Sequence, residues 1–358
     1  MAMFAAASTW GLLFIVIHLS HTVVAVVPVA QFYPFGPLNG DSTVPVNDDG
    51  STGRIPLTIK FPFFGFYHSS LWVNTNGAIS FDAQISTFTP QPFPLNSNYR
   101  MVAPYWADVN TRRNDGRVYY REVLNGSLLL RATSDVRRDF PAFDRFIATW
   151  ILVTTWNNVT CYGCYPPNQP LATFQCILVT NGAYSFTYFF YNKLQWTNGT
   201  ASHGIPAQVG FDAGDGVHYL ALNQSRTPQI VEIVNETNVG QPGRWGFRID
   251  GQNISAGGCN NQNGTSVLFS PGFVNMLGGQ QLFMKGPCYS NSSNITCTFH
   301  DPVQQNPISL PGVVLDANTA SCLTPTFFSV GRVNLEMTVQ AVTGNRTYSG
   351  ILSIGKYS

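Results

Sequence analysis

Along "RIPLTIKF", Ile55, Leu57, Ile59 and Phe61 alternate with Pro56, Thr58 and Lys60. A period of two with one wet face predicts a half-buried strand. "PFFGF" then bends the chain, and "LWVNTNGAISF" follows. Asn76-Gly77 predicts a two-residue type I′ hairpin, a turn that needs positive φ at both central residues. In that register Thr75 faces Ala78, Asn74 faces Ile79, Val73 faces Ser80 and Trp72 faces Phe81. Trp72, Ile79 and Phe81 then share one inward face. The aromatic side chains of residues 61–81 are therefore expected in a core rather than on an exposed binding patch.

The same grammar continues through "GRVYYREV", "GSLLLRAT", "FIATWILVTTW", "ATFQCILVTNGAYSFTYFFY" and "QVGFDAGDGVHYLAL", each read as a strand–turn unit. "TNGAYSF" reuses the Asn-Gly device of "TNGAISF". No 12-residue window carries a convincing 3.6-residue amphipathic pattern, so the expected fold class is all-β. A length of 358 residues allows about one to three domains.

Composition supports this reading. Gly, Pro, Phe and Tyr are abundant, whereas Lys and Glu number four each. Charged residues are 10% of the chain and the balance is +1. Nucleic-acid binding needs massed phosphate neutralisers, and none are massed here.

Residues 1–40 hold no charged side chain. "WGLLFIVIHL" and the small residues after it predict a secretory signal peptide over residues 1–25, with an alternative end at residue 30. The n-region lacks Lys and Arg, and an uncleaved anchor is the competing reading. His18, Ser20 and His21 interrupt the ~20 apolar residues that a span requires. No later stretch reads as a transmembrane span. Ten sequons, at Asn125, Asn158, Asn198, Asn223, Asn235, Asn253, Asn263, Asn291, Asn294 and Asn345, predict a secreted glycoprotein.

All seven cysteines follow residue 160. "CYGC" at Cys161–Cys164 has redox or zinc spacing, but the prolines in "YPPNQP" preclude the helix that the redox motif needs, and no second zinc ligand pair lies nearby. Structural disulfides are expected: Cys297 with Cys322, Cys259 with Cys288, and Cys176 with Cys161 or Cys164. One thiol is left over.

Candidate chemistry is sparse. After the leader only His68, His203, His218 and His300 remain, with no G-x-S-x-G elbow and no H-E-x-x-H. No catalytic residues are assigned, and a secreted hydrolase is the least favoured function. Asp48 and Asp49 in "NDDGSTG", and Asp212 and Asp215 in "FDAGDGV", are calcium candidates because that ion takes several oxygen ligands. Asp beside Gly is equally what a tight turn wants. Arg112–Arg113 and Arg137–Arg138 are basic pairs suited to sulfated glycans or to an ordinary wet edge. The 15 arginines to four lysines suit planar recognition of carboxylate or sulfate.

"GRIPLTIKFPFFGFYHSSLWVNTNGAISF", "APYWADVN", "TFQCILVTNGAYSFTYFFY", "LQWTNG", "AQVGFDAGDG" and "NVGQPGRWGFRIDG" occur in that order. Together they resemble a NIDO domain, the nidogen-like extracellular module, over residues 31–251. After a linker at 252–264, "GGQQLFMKGPC" and "ASCLTP" within 265–358 resemble an IPT/TIG immunoglobulin-like domain. The order is similar to that of Mesh-like junction proteins, of which this chain has the length of a short form or fragment. The resemblance implies an antiparallel β domain followed by an immunoglobulin-like sandwich. It also implies a non-enzymatic secreted protein of cell–matrix or cell–cell adhesion, with matrix or cell-surface partners. A framework role in extracellular matrix is the alternative. The loops Asn110–Asp115 and Asp212–Gly216 are the first candidates for contact.

Overall fold

The computed structural model describes residues 26–95, 99–259, 267–285, 287–289, 293–316, 318–341 and 344–356. The expected signal peptide over residues 1–25 lies outside them, as do the sequons at Asn263 and Asn291. Nearly all regular structure is strand, in three sheets.

The first sheet runs, edge to edge, Ser42–Thr43, Arg117–Val123, Trp150–Cys161, Ala172–Thr180, Ser185–Leu194, Arg244–Arg248 and Ser255–Ala256. Val109–Asn110 also pairs with its Trp150–Cys161 strand. The second runs Tyr219–Ala221, Gln208–Asp212, Met101–Trp106, Ala78–Ser80, Phe66–Asn74 and Ile55–Phe63. The two share one core: Trp150, Trp156, Phe174 and Phe189 from the first meet Phe61, Leu71, Val73, Ile79, Phe81, Tyr105 and Phe211 from the second. Of the aromatic residues in 61–81, Phe61, Phe63, Phe64 and Phe81 are thus core, with Phe61 stacked on Phe81 at 5.7 Å, whereas Phe66 and Tyr67 at the bend are exposed, contrary to expectation. The first sheet is also covered outside, where Ile151, Val153, Ile177, Phe186 and Tyr188 pack on Val27, Phe32 and helix residues. Burial on both faces explains why Ala172–Thr180 is buried throughout and shows no period of two.

The hairpin register differs from expectation by one residue. Trp72 pairs with Ser80, Val73 with Ile79 and Asn74 with Ala78. The loop is Thr75-Asn76-Gly77, closed by Gly77 N–H to Asn74 O at 3.3 Å, and only Gly77 has positive φ (76°). This is the three-residue loop whose last residue is left-handed, not a type I′ turn. A one-residue slip moves every side chain to the opposite face. Val73 therefore points into the core with Ile79, and Trp72 is left half-buried outside it. The second Asn-Gly also closes differently. Thr180 pairs with Ser185 across a four-residue loop, in which Asn181 Oδ1 accepts the N–H groups of Ala183 and Tyr184 at 3.0 Å.

"GSLLLRAT" is not a strand but opens a 13-residue α-helix, Ser127–Asp139. Its buried positions include Ala132, Asp135, Val136 and Asp139, spaced three and four apart as a helix face requires. Two are charged, which erases the apolar signal. Arg244 Nη2 reaches Asp135 Oδ1 at 3.1 Å and Asp139 Oδ2 at 3.0 Å, so the face is held by ion pairs as well as apolar contact.

The third sheet runs Leu268–Ser270, Gln281–Lys285, Thr319–Leu323, Ile308–Asp316, Asn294–His300, Gly331–Ala341, Gly344–Gly355 and Phe273–Asn275. Only its last pair is parallel. It has its own core, centred on Leu282, Met284, Ile295, Phe299, Leu335, Met337 and Leu352. Cys297 and Cys322 lie on strands that flank Ile308–Asp316 on opposite sides. In a flat sheet such strands stand roughly 9.5 Å apart. Here the two Cα atoms are 6.6 Å apart and disulfide-bonded, so the sheet folds over at Ile308–Asp316. The second expected pair, Cys259–Cys288, is also joined.

The remaining pairing is corrected. Cys161 bonds Cys164, and Cys176 is the free, buried thiol. Cys176 lies in the middle of a central strand, facing Thr154 and Phe189 on its two neighbours, whereas Cys161 ends its strand and turns directly onto Cys164. The first unit also runs past residue 251: Ser255 and Ala256 pair with Arg248 and Phe247, and Gly258 N–H donates to Asp139 O at 2.7 Å. Ser255 and Ala256 of the expected linker thus belong to the first sheet, and Gly257 and Gly258 are hydrogen-bonded to the same unit.

Candidate metal centre

The strand Met101–Trp106 is apolar and fully buried, and Asp108 lies two residues beyond it. Asp108 is 2% exposed. A buried carboxylate needs a partner, yet its Oδ2 has no hydrogen-bond donor. Ligand oxygens of Asp48, Asp49 and Asp108 all lie within 4.8 Å of one another. Asp48 Oδ1 is likewise buried without a donor. Burial, then Asp49 and Asp48, push the Asp108 carboxyl up to about 7. Burial and Asp49 also raise Asp48, opposed by Arg112 and Arg113.

Four segments build this cluster. Asn76, at the hairpin tip, is 1% exposed. Its Nδ2 donates to Asp49 Oδ1 at 2.8 Å, its Oδ1 accepts Val109 N–H at 2.9 Å, and its carbonyl accepts Ala107 N–H at 3.1 Å. The three-residue loop thereby holds Asp49 on one side and both neighbours of Asp108 on the other. Thr111 Oγ1 accepts Asn47 N–H at 2.9 Å and donates to Asn47 O at 2.7 Å, tying down the loop that carries Asp48 and Asp49. The Cys161–Cys164 loop closes the far side, where Tyr162 N–H donates to Asp108 O at 2.9 Å. At Gly199 a Cβ would stand 2.5 Å from Asp108 Oδ2, so the glycine leaves room for the carboxylate.

The other calcium candidates are built differently. Asp212 is fully buried, but Oδ2 accepts Leu95 N–H and Oδ1 accepts Gly214 N–H, both at 2.8 Å. Asp215 Oδ1 accepts Val217 and His218 N–H groups, and its Oδ2 meets His218 Nδ1 at 2.6 Å. Both have satisfied oxygens, Asp212 at the end of its strand and Asp215 in the turn that follows, and neither is in the Asp48–Asp49–Asp108 cluster.

The basic pairs divide as well. Arg137 Nε donates to Phe146 O, and Arg138 grips Asp139 with two bonds of 2.8 Å, so their groups are engaged internally. Arg112 and Arg113 are exposed; Arg112 bonds Asn47 Oδ1, and Arg113 lies over the Tyr165 ring. Of the described sequons, Asn125, Asn158, Asn223, Asn235, Asn253, Asn294 and Asn345 are exposed, and Asn198 is half-buried. His68 packs against Phe81 at 4.7 Å, and its pKa falls to about 4 through burial.

Sequence reasoning found Asp48 and Asp49 but missed Asp108. The available signal was an Asp inside the apolar run "VAPYWADV", because a charge placed in a core strand must be compensated.

The nidogen-like domain model matches residues 69–251, just over half of the chain. Mouse (Mus musculus) α-tectorin is 43% identical over 241 residues, which are 65% of this chain and 11% of that protein. Protein mesh of Bombyx mori is 28% identical over 330 residues, 81% of this chain and 20% of that one. Mouse nidogen-2 is 32% identical over 240 residues, 61% of this chain and 17% of that one. The chain thus spans about a tenth of the length of the α-tectorin it matches. These relatives are extracellular matrix proteins, which places this chain outside the cell. The chain belongs to the nidogen-like domain family.

Proposed function

We propose that this chain is a non-enzymatic secreted glycoprotein that mediates cell–matrix or cell–cell adhesion by binding protein or glycan. The observation that carries the reading is membership of the nidogen-like family together with the placement of the described sequons, seven of eight exposed. Rigid sheets act as a scaffold and loops make the contacts. The exposed loop around Arg112 and Arg113 is the better contact candidate for acidic or sulfated partners, since Arg137 and Arg138 are engaged internally. The third sheet is an IPT/TIG-like unit, a reading supported by the mesh match, which covers 81% of this chain. Signal cleavage falls after Ala25 rather than after residue 30, because Val27 is fully buried and its carbonyl accepts Asn192 Nδ2 at 2.9 Å.

The test is to produce the chain by secretion from cultured animal cells. Its mass before and after enzymatic removal of N-glycans and its N-terminal residue are read, and the purified protein is applied to immobilised matrix extract and to intact cells. Saturable retention on either surface, lowered by R112A/R113A, is the expected result. A glycosylated, folded protein retained by neither overturns the adhesion reading and favours a framework role.

A further inference from the structure

We propose that Asp48, Asp49 and Asp108 bind a calcium ion that clamps the 47–50 loop to the end of the Met101–Trp106 strand. Three carboxylates whose oxygens approach within 4.8 Å repel one another strongly where water is scarce. Arg112 and Arg113 offset it only partly at Asp48, and Asn76 donates a single bond to Asp49, so Asp108 Oδ2 and Asp48 Oδ1 are left without a donor. None of the three forms an ion pair. The nearby Arg112 spends its guanidinium on Asn47 Oδ1, and Arg113 lies over the Tyr165 ring.

The contrast with other buried carboxylates is informative. Asp212 takes two backbone N–H groups, Asp139 takes Arg138 and Arg244, and Asp301 takes Phe328 N–H and Ser329 Oγ. Asp108, 2% exposed, takes no donor on Oδ2, and a carboxylate oxygen of this residue lies within 4.8 Å of oxygens of the two other acids. Asn76 and Thr111 fix both limbs of the cluster through bonds that leave Asp108 Oδ2 and Asp48 Oδ1 open. Gly199 keeps a side chain out of the space beside Asp108.

The donors are all hard oxygens, since the neighbouring Cys161 and Cys164 are tied to each other. That set suits calcium or magnesium rather than zinc. Calcium fits better, because it takes six to eight oxygens in irregular geometry and the partly exposed Asp48 and Asp49 leave room for water. An extracellular site of this kind binds with a Kd on the order of 10⁻⁴–10⁻³ M. The inference is independent of the adhesion reading, because its readout is the ion alone.

The test uses the full secreted chain, stripped with EDTA and desalted. Calcium chloride is titrated calorimetrically, and thermal melts are compared in EDTA, calcium and magnesium. One saturable calcium site and a calcium-dependent rise in Tm are expected. D108N should weaken calcium binding at least tenfold, D49N should weaken it too, and D215N should leave it unchanged. D49N carries the test if D108N is not secreted. Wild-type protein with neither calcium heat nor a Tm shift overturns the proposal. So does a D49N or D108N protein that keeps the full calcium response, the result expected if the ion binds elsewhere on the chain. A larger Tm shift with magnesium overturns the calcium assignment.

Discussion

Asn76 Nδ2 donates to Asp49 Oδ1 at 2.8 Å, so the tip of a hairpin is hydrogen-bonded to a loop 27 residues earlier. Through its Oδ1 and carbonyl the same residue holds Val109 and Ala107. One buried amide joins three segments that are distant in sequence.

Replacing Asn76 by Ala removes two side-chain bonds and strands Val109 N–H in the core. At about 1–3 kcal/mol for a buried unsatisfied group, the expected loss is ~2–4 kcal/mol. Urea denaturation of N76A against wild type measures it.

The two Asn-Gly turns should respond unequally. At Gly77 a Cβ would stand 1.9 Å from Tyr105 O, and φ is 76°. At Gly182 φ is 90°, but the nearest atom is Ile59 Cδ1 at 3.5 Å. G182A should cost only the backbone penalty, about 1–2 kcal/mol. G77A adds a backbone clash and should reduce secretion sharply. Secreted yield and Tm of the two variants, side by side, decide this.

At Gly312 a Cβ would meet Cys322 Sγ and Ile295 Cγ2, each at 2.7 Å. G312V should therefore destabilise the third sheet by about 1–3 kcal/mol or more, the usual cost of overpacking. Loss of the Cys297–Cys322 bond, in a C297A/C322A protein, should cost about 2–5 kcal/mol. Chemical denaturation followed by a probe in this sheet reports both.

Burial pushes the Cys176 thiol up to about 12, and only the thiolate reacts. A thiol-alkylating reagent should leave native protein unlabelled and modify one cysteine per chain after denaturation without reductant. Labelling of two or more thiols in the denatured, unreduced chain would contradict the pairing described.

His68 has its pKa lowered to about 4, by burial first and by Arg100, against the opposing effect of Asp82. Between pH 6.5 and about 4 the unfolded chain binds a proton at this residue and the native one does not. His68 therefore favours unfolding as pH falls through that window and has no such effect above pH 6.5. Replacement by Phe should flatten the decline of Tm over that range, as melts at successive pH values would reveal.

Much of the architecture was legible from local pattern. Alternation in "RIPLTIKF", the scarcity of Lys and Glu and the spacing of cysteines in the C-terminal part specified strands, an all-β class and two disulfides. Each is a statement about neighbouring residues or bulk burial, which the chain carries in its own order. The hairpin register, the Ser127–Asp139 helix and the Cys161–Cys164 bond were decided elsewhere. Asn76 is drawn to Asp49 and Ala107, Asp135 and Asp139 are drawn inward by Arg244, and Cys176 is enclosed between two strands. The meeting of Asp48 with Asp108 belongs to the same class. Those contacts span from tens of residues to more than a hundred, and a polar group inside a core is stabilised only by the partner that tertiary packing brings to it, which periodicity along the chain does not encode.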